Sequence, residues 1–131
     1  MTKIGGHMGE WDLKKRTKTF AIKIIKLNQF INEHGSMAAK VIANRQLLRS
    51  GTAIAANYRA ACRCKSRKDF ISKMGTVVEE SDETQLWLEL LLESGLLNES
   101  LVKDLLIEVT ELTAIMTSSR NSAINNQEKE K

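Results

Sequence analysis

The chain of 131 residues contains no proline. Proline ends or kinks a helix interior, so its absence removes the commonest interruption and favours long continuous helices. Aromatic residues make up only 5%. The only histidines, His7 and His34, belong to no ligand-spaced cluster. Cys62 and Cys64 are the only cysteines. Two positions apart on a helix they point about 200° from each other, which disfavours a bridge or a shared metal and leaves them as small packing residues. No apolar run approaches the roughly 20 residues that cross a bilayer. The start, "MTKIGGHMGEW", lacks a hydrophobic signal segment, so a cytoplasmic protein without membrane partners is expected. Residues 1–9 are set aside as a disordered N-terminus or cloning remnant. There is no Walker loop, no Gly-x-Gly-x-x-Gly and no Glu-x-x-His, which argues against nucleotide-binding and di-metal bundle enzymes. Ser50 has no evident His and acid partners. The expectation is a protein that is not an enzyme and needs no metal or cofactor.

What is present is helical periodicity. Leu13, Thr17, Phe20, Ile24, Leu27 and Ile31 alternate steps of four and three, the spacing of a heptad seam. Asp12 is a plausible N-cap and His34-Gly35 a plausible stop. Phe70, Met74, Val77, Ser81, Thr84, Leu88 and Leu91 repeat the pattern, with Ser66 as a cap and Gly95 as a stop. Val102, Leu105, Val109, Leu112 and Met116 form a last seam, capped by Asn98 or Ser100. Helices are expected near residues 12–33, 37–64, 67–94 and 99–118. Short connections between them predict an all-α, antiparallel, up-down-up-down four-helix bundle over residues 10–118. Residues 119–131, "SRNSAINNQEKEK", read as a polar, flexible tail.

The second helix is unusual on two sides. On a wheel of about 100° per residue, Leu47, Ser50, Ile54, Asn57 and Ala61 face inward. Ser50, Gly51, Ala53, Ala55 and Ala61 are small enough to let a neighbouring backbone approach, which offsets the roughly 1 kcal/mol that Gly51 costs in helix propensity. Asn57 either bonds a facing helix and fixes register or stands exposed. Outward, Arg45, Arg49, Arg59 and Arg63 lie within about 40° of one line, a stripe roughly 27 Å long. Lys65, Arg67 and Lys68 continue the charge into the turn. Arginine forks suit phosphate, so the stripe is a candidate for a nucleic-acid backbone; pairing with carboxylates is the alternative. Tyr58 is the one aromatic nearby, too little for base stacking.

Charge is segregated along the chain. Gly35 to Lys68 carries eight basic residues and no acid, whereas Asp69 to Glu99 carries eight acids and one base, Lys73. On the third helix Glu79, Asp82, Glu83, Glu89 and Glu93 project away from the seam, with Leu86 and Leu90 among them. Together with Trp87 they make the helix apolar nearly all round, so a partner chain is expected to cover Glu79, Glu83, Leu86, Trp87 and Leu90.

"LLRSGTAIAANYRAACRCKSRKDFISKM" followed by "VVEESDETQLWLELLLESGLL" resembles the four-helix bundle family of 23S rRNA intervening-sequence proteins over about residues 12–118. The "RSGTxIxANYR", "SRKDFISK" and "E-x-D-E-x-x-x-WLELL" runs carry the resemblance. Many members have Glu where this chain has Ala60. The resemblance implies an antiparallel bundle assembling as a ring, commonly a homopentamer. It also implies a similarity in shape to accessory proteins of diversity-generating retroelements, which bind nucleic acid and a reverse transcriptase. It carries no catalytic residue. Two functions are left open: a homo-oligomer that binds RNA or DNA, and a scaffold that binds a partner protein.

Overall fold

A computed structural model describes residues 9–129, and within them the chain is all helical. The expectation for residues 1–8 lies outside the described residues, as do positions 130–131. Helix α1 spans Glu10–His34. Helix α2 runs as three consecutive stretches: Met37–Ile42, a π-helical turn at Ala43–Leu47, and Leu48–Cys62. Helix α3 spans Arg67–Glu93 and α4 spans Glu99–Lys129.

The helix ends follow local chemistry. Ser36 and Ser66 stand in extended backbone before α2 and α3, and their hydroxyls accept from the amides of Ala39 and Asp69. Gly95 adopts φ 78°, a left-handed turn open to glycine that stops α3. Asn98 Oδ1 accepts from the Ser100 amide at 3.2 Å, so Asn98 rather than Ser100 caps α4. The expected cap at Asp12 is not used. Gly9 holds that place, because Glu10 and Lys14 pair at 3.2 Å and extend the helix backward by a turn.

The core is the set of seams. Leu13, Thr17, Phe20, Ile24, Leu27 and Ile31 are buried on α1, and Met74, Val77, Ser81, Thr84, Leu88 and Leu91 on α3. All five expected residues of α4 are buried as well. On α2, Leu47, Ser50, Gly51, Ile54 and Ala61 face the core as expected. A Cβ at Gly51 would stand 2.9 Å from both γ carbons of Ile24, so the missing side chain is what lets α1 lie this close. Inside, Thr84 Oγ1 and Ser50 Oγ are 2.9 Å apart, a buried polar link between α2 and α3.

Tyr58 is buried on the core side of α2. Two expectations are corrected. Asn57 does not bond a facing helix; its amide donates to the Ala53 carbonyl of its own helix at 2.9 Å. The fourth helix does not stop at residue 118 but continues to Lys129. Arg120 steadies the added turns by donating Nε to the Ile71 carbonyl at 3.1 Å, over the space left by Gly75. A bidentate pair from Arg16 to Glu108, with Glu111 at 3.4 Å, ties α1 to α4. No described helix is long and apolar enough to cross a membrane.

Candidate nucleic-acid and assembly surfaces

The arginines of α2 do not act as one stripe. On the wheel, Arg49 and Arg59 sit on opposite shoulders of it, about 80° apart. Arg49 turns toward α3 and bonds Glu80 at 2.8 Å and Glu83 at 3.1 Å. The two ends of this clamp respond oppositely. The charge of Glu80 holds the Arg49 guanidinium more firmly protonated, while burial, helped by Glu83, pushes the Glu80 carboxyl above its ordinary range against the pull of Arg49. Glu83, expected at an interface, is therefore partly engaged within its own chain. Arg45 stands exposed in the π turn, whose extra residue displaces it from its place on an ideal wheel.

Arg59 and Arg63 turn the other way, toward α1. They border a groove of about 540 Å³ with Lys14 and Lys18 on the opposite bank. Its lining is otherwise Ala21, Ile22, Ile25, Thr52, Ala55, Ala56 and Ala60. The groove thus has four cations, no acid, and a floor of small apolar side chains. Ile22 and Ile25 keep 44% and 49% of their surface exposed. These α1 residues were missed in the sequence, although Lys14, Lys18, Ile22 and Ile25 repeat at steps of four and three just outside the buried seam.

Beyond α2 the turn carries Arg63, Lys65, Arg67 and Lys68, all exposed. Lys14, Arg16, His34 and Arg49 are each in an ion pair. Arg63, Lys65 and Lys68 keep their charge toward solvent. The same turn borders a larger cleft of about 1140 Å³ under α4, lined by Tyr58, Cys62, Cys64, Phe70 and Ser118 among others. Both thiols are free. Burial pushes the Cys62 thiol up, away from thiolate reactivity, although the Tyr58 hydroxyl opposes the shift. Among the described residues no group of three or more His, Cys, Asp or Glu side chains is placed to hold a metal ion.

The outward face of α3 is acidic and apolar together. Glu79, Asp82 and Glu93 are exposed, and Glu89 is half-buried. Leu86 and Leu90 keep 46% and 42% of their surface in solvent. Trp87 differs from the expectation. It is half-buried against the bundle core, with Nε1 closed off and lacking a hydrogen-bond partner among the described residues. Its place next to Leu86 on the wheel turns it about 100° off the exposed face.

Two comparisons place this arrangement among known proteins; among curated proteins, no match is found. A solved structure of a protein of unknown function from the S23 ribosomal protein family of Bacteroides thetaiotaomicron VPI-5482 is 33% identical, with a TM-score of 0.78. The similarity covers 87% of this chain and 99% of that one. The family described as 23S rRNA-intervening sequence protein matches residues 10–118, the helical core with both of its charged faces. By its sequence, its four helices and this match, the chain belongs to the 23S rRNA-intervening sequence protein family.

Proposed function

We propose that the protein is a non-catalytic, self-associating bundle that holds the backbone of RNA or DNA on a basic surface. In this reading neighbouring helices run antiparallel, as the short connections favour, and the copies close into a ring in the cytoplasm. Five copies is the number the family resemblance implies. The observation that carries the reading is the α2–α3 turn, where Arg63, Lys65 and Lys68 are exposed and outside every ion pair among the described residues. Rotational symmetry sets that turn at one height in every copy, so a ring gathers the charges into a basic rim. The family description ties its members to an intervening sequence of 23S rRNA, which makes RNA the first probe.

The test is a binding titration with RNA and with DNA at two salt concentrations, on protein stripped of carried-over nucleic acid. Changing Lys65 and Lys68, which lie outside the groove lining, to Gln should weaken binding across sequences and flatten the log-log salt slope by about 0.7–0.9 per lost contact. Arg49→Gln, which removes a cation already clamped by Glu80 and Glu83, should change binding far less. Equal losses from both variants, or none from the turn variant, would put the site elsewhere. A scaffold for a partner protein is the second reading, favoured by the exposure of Leu86 and Leu90. It predicts a captured protein and no salt-dependent nucleic-acid binding.

A further inference from the structure

We infer that the groove between α1 and α2 is the seat for the outward face of α3 from a second copy of this chain. The inference rests on the self-association reading and names the two surfaces that meet. Shape is the first argument. The groove floor is alanine, at positions 55, 56 and 60, walled by Ile22 and Ile25. The α3 face is a ridge in which Leu86 and Leu90 stand one helical turn apart, about 6 Å along the axis. Lys14 to Ile25 and Thr52 to Arg63 each extend about 16 Å at 1.5 Å per residue, long enough to seat both leucines of the ridge.

Charge is the second argument. The banks carry Lys14, Lys18, Arg59 and Arg63, and the ridge carries Glu79, Asp82, Glu89 and Glu93. The leucines and isoleucines supply the dry contact, and the carboxylates flanking them face Lys18, Arg59 and Arg63, whereas Lys14 is already paired with Glu10 of its own chain. Arg49, although it is the arginine nearest α3, is not the acceptor, because its guanidinium is taken by Glu80 and Glu83 of its own chain.

Topology is the third. Within one chain α3 packs on α2 and α4 and makes no direct packing with α1. The ridge therefore cannot reach its own groove, and the contact must be between copies. It joins two different surfaces, so each copy offers one groove and one ridge. Such a contact closes into a ring or runs on as a filament. It leaves Lys65 and Lys68 of the turn outside the contact and available to a polyanion.

Two variants test this, each blocking one surface. Ala56→Trp fills the groove at an exposed position. Leu86→Lys with Leu90→Lys puts cations on the ridge. Helicity by circular dichroism checks that each variant folds. Light scattering should give the wild type as an oligomer and each variant alone as a monomer. An equimolar mixture should form a dimer containing one of each, because one intact groove and one intact ridge remain. Variants that each assemble like the wild type, or a mixture that stays monomeric beside an oligomeric wild type, would overturn the assignment while leaving self-association standing. A monomeric wild type at micromolar concentration would overturn self-association itself. If Ala56→Trp keeps the oligomer and instead weakens RNA binding, the groove holds nucleic acid and the inference is wrong.

Discussion

Alanine at Gly51 and alanine at Gly75 should shift stability in opposite directions. Both glycines lie inside helices, and at an exposed site either change would gain about 1 kcal/mol of helix propensity. What a new Cβ meets is different. At Gly51 it stands 2.9 Å from Cγ1 and Cγ2 of Ile24, which is fully buried. Both atoms branch directly from the Ile24 Cβ, so no distant end can swing aside, and the side chain is stiff at χ1. Overpacking of this kind costs about 1–3 kcal/mol. Set against the propensity gain, the net loss is about 1 kcal/mol, or a fall in Tm of about 4 °C. At Gly75 the nearest atom is Arg120 Nε at 3.2 Å, near the end of a long flexible side chain. A shift of a few tenths of an ångström accommodates it, and Gly75→Ala should leave Tm unchanged or raise it. Thermal melts at one fixed protein concentration, since assembly itself moves Tm, would read the sign. In an Ile24→Ala background both γ carbons are gone and only the Cβ at 3.3 Å remains, so the loss from Gly51→Ala should shrink. A rise in Tm from Gly51→Ala in the wild type, equal to that from Gly75→Ala, would refute the claim that the glycine sets the α1–α2 distance.

Tyr58 is the only tyrosine, and burial, with the Cys62 thiol beside it, raises its phenol above the ordinary value. A raised pKa stabilises the fold below the unfolded value of about 10 and loses that contribution as pH climbs past it. Phenolate absorbance should therefore appear together with loss of helicity; a separate titration near pH 10 with helices intact would contradict the burial. Thr84→Val should cost about 0.5–1.5 kcal/mol, because it removes the buried bond to Ser50 Oγ, which keeps only its long bond to the Leu47 carbonyl. Adding Ser50→Ala should recover part of the loss in denaturant melts, and strictly additive losses would show that the two hydroxyls do not act as a pair.

Much of the fold is legible in the sequence because seams repeat where proline never interrupts them. Every expected seam residue of α1 and α4 is buried, and on α3 only Phe70 is half-buried. What the pattern hides is local. Nothing in "ANRQL" announces a π turn, which shows only when Asn44 meets Asn28 and Asn32 of α1 at 2.9 Å. The last turns of α4 look like a polar tail, since Ser, Asn and Thr are indifferent helix formers. Their support comes from Arg120 reaching Ile71, 49 positions away in sequence. Tyr58, by contrast, is legible: on the wheel it falls about 140° from Arg45 and Arg63, beside Ile54, and it is buried there. The candidate surfaces are half legible. Sign segregation reveals a basic and an acidic face, but which arginine pairs at home is decided by a difference of 80° that only the packed helices resolve.

The small residues of α2 explain the packing and the surface together. On the inner side Ser50, Gly51 and Ala61 draw the neighbouring helices in, and Ile24 lies against bare backbone. On the outer side Ala55, Ala56 and Ala60 rise too little to fill the angle between α1 and α2. Two helices packed closely, with short side chains on the shoulder of one, leave a trough along their seam. Long side chains there would have covered Ile22 and Ile25; alanines leave them about half exposed. An exposed apolar wall is costly in a lone bundle at about 25 cal/mol per Å². The same composition that brings α1 close therefore also leaves a groove with cations on both banks, and α3 carries an outward face of opposite sign.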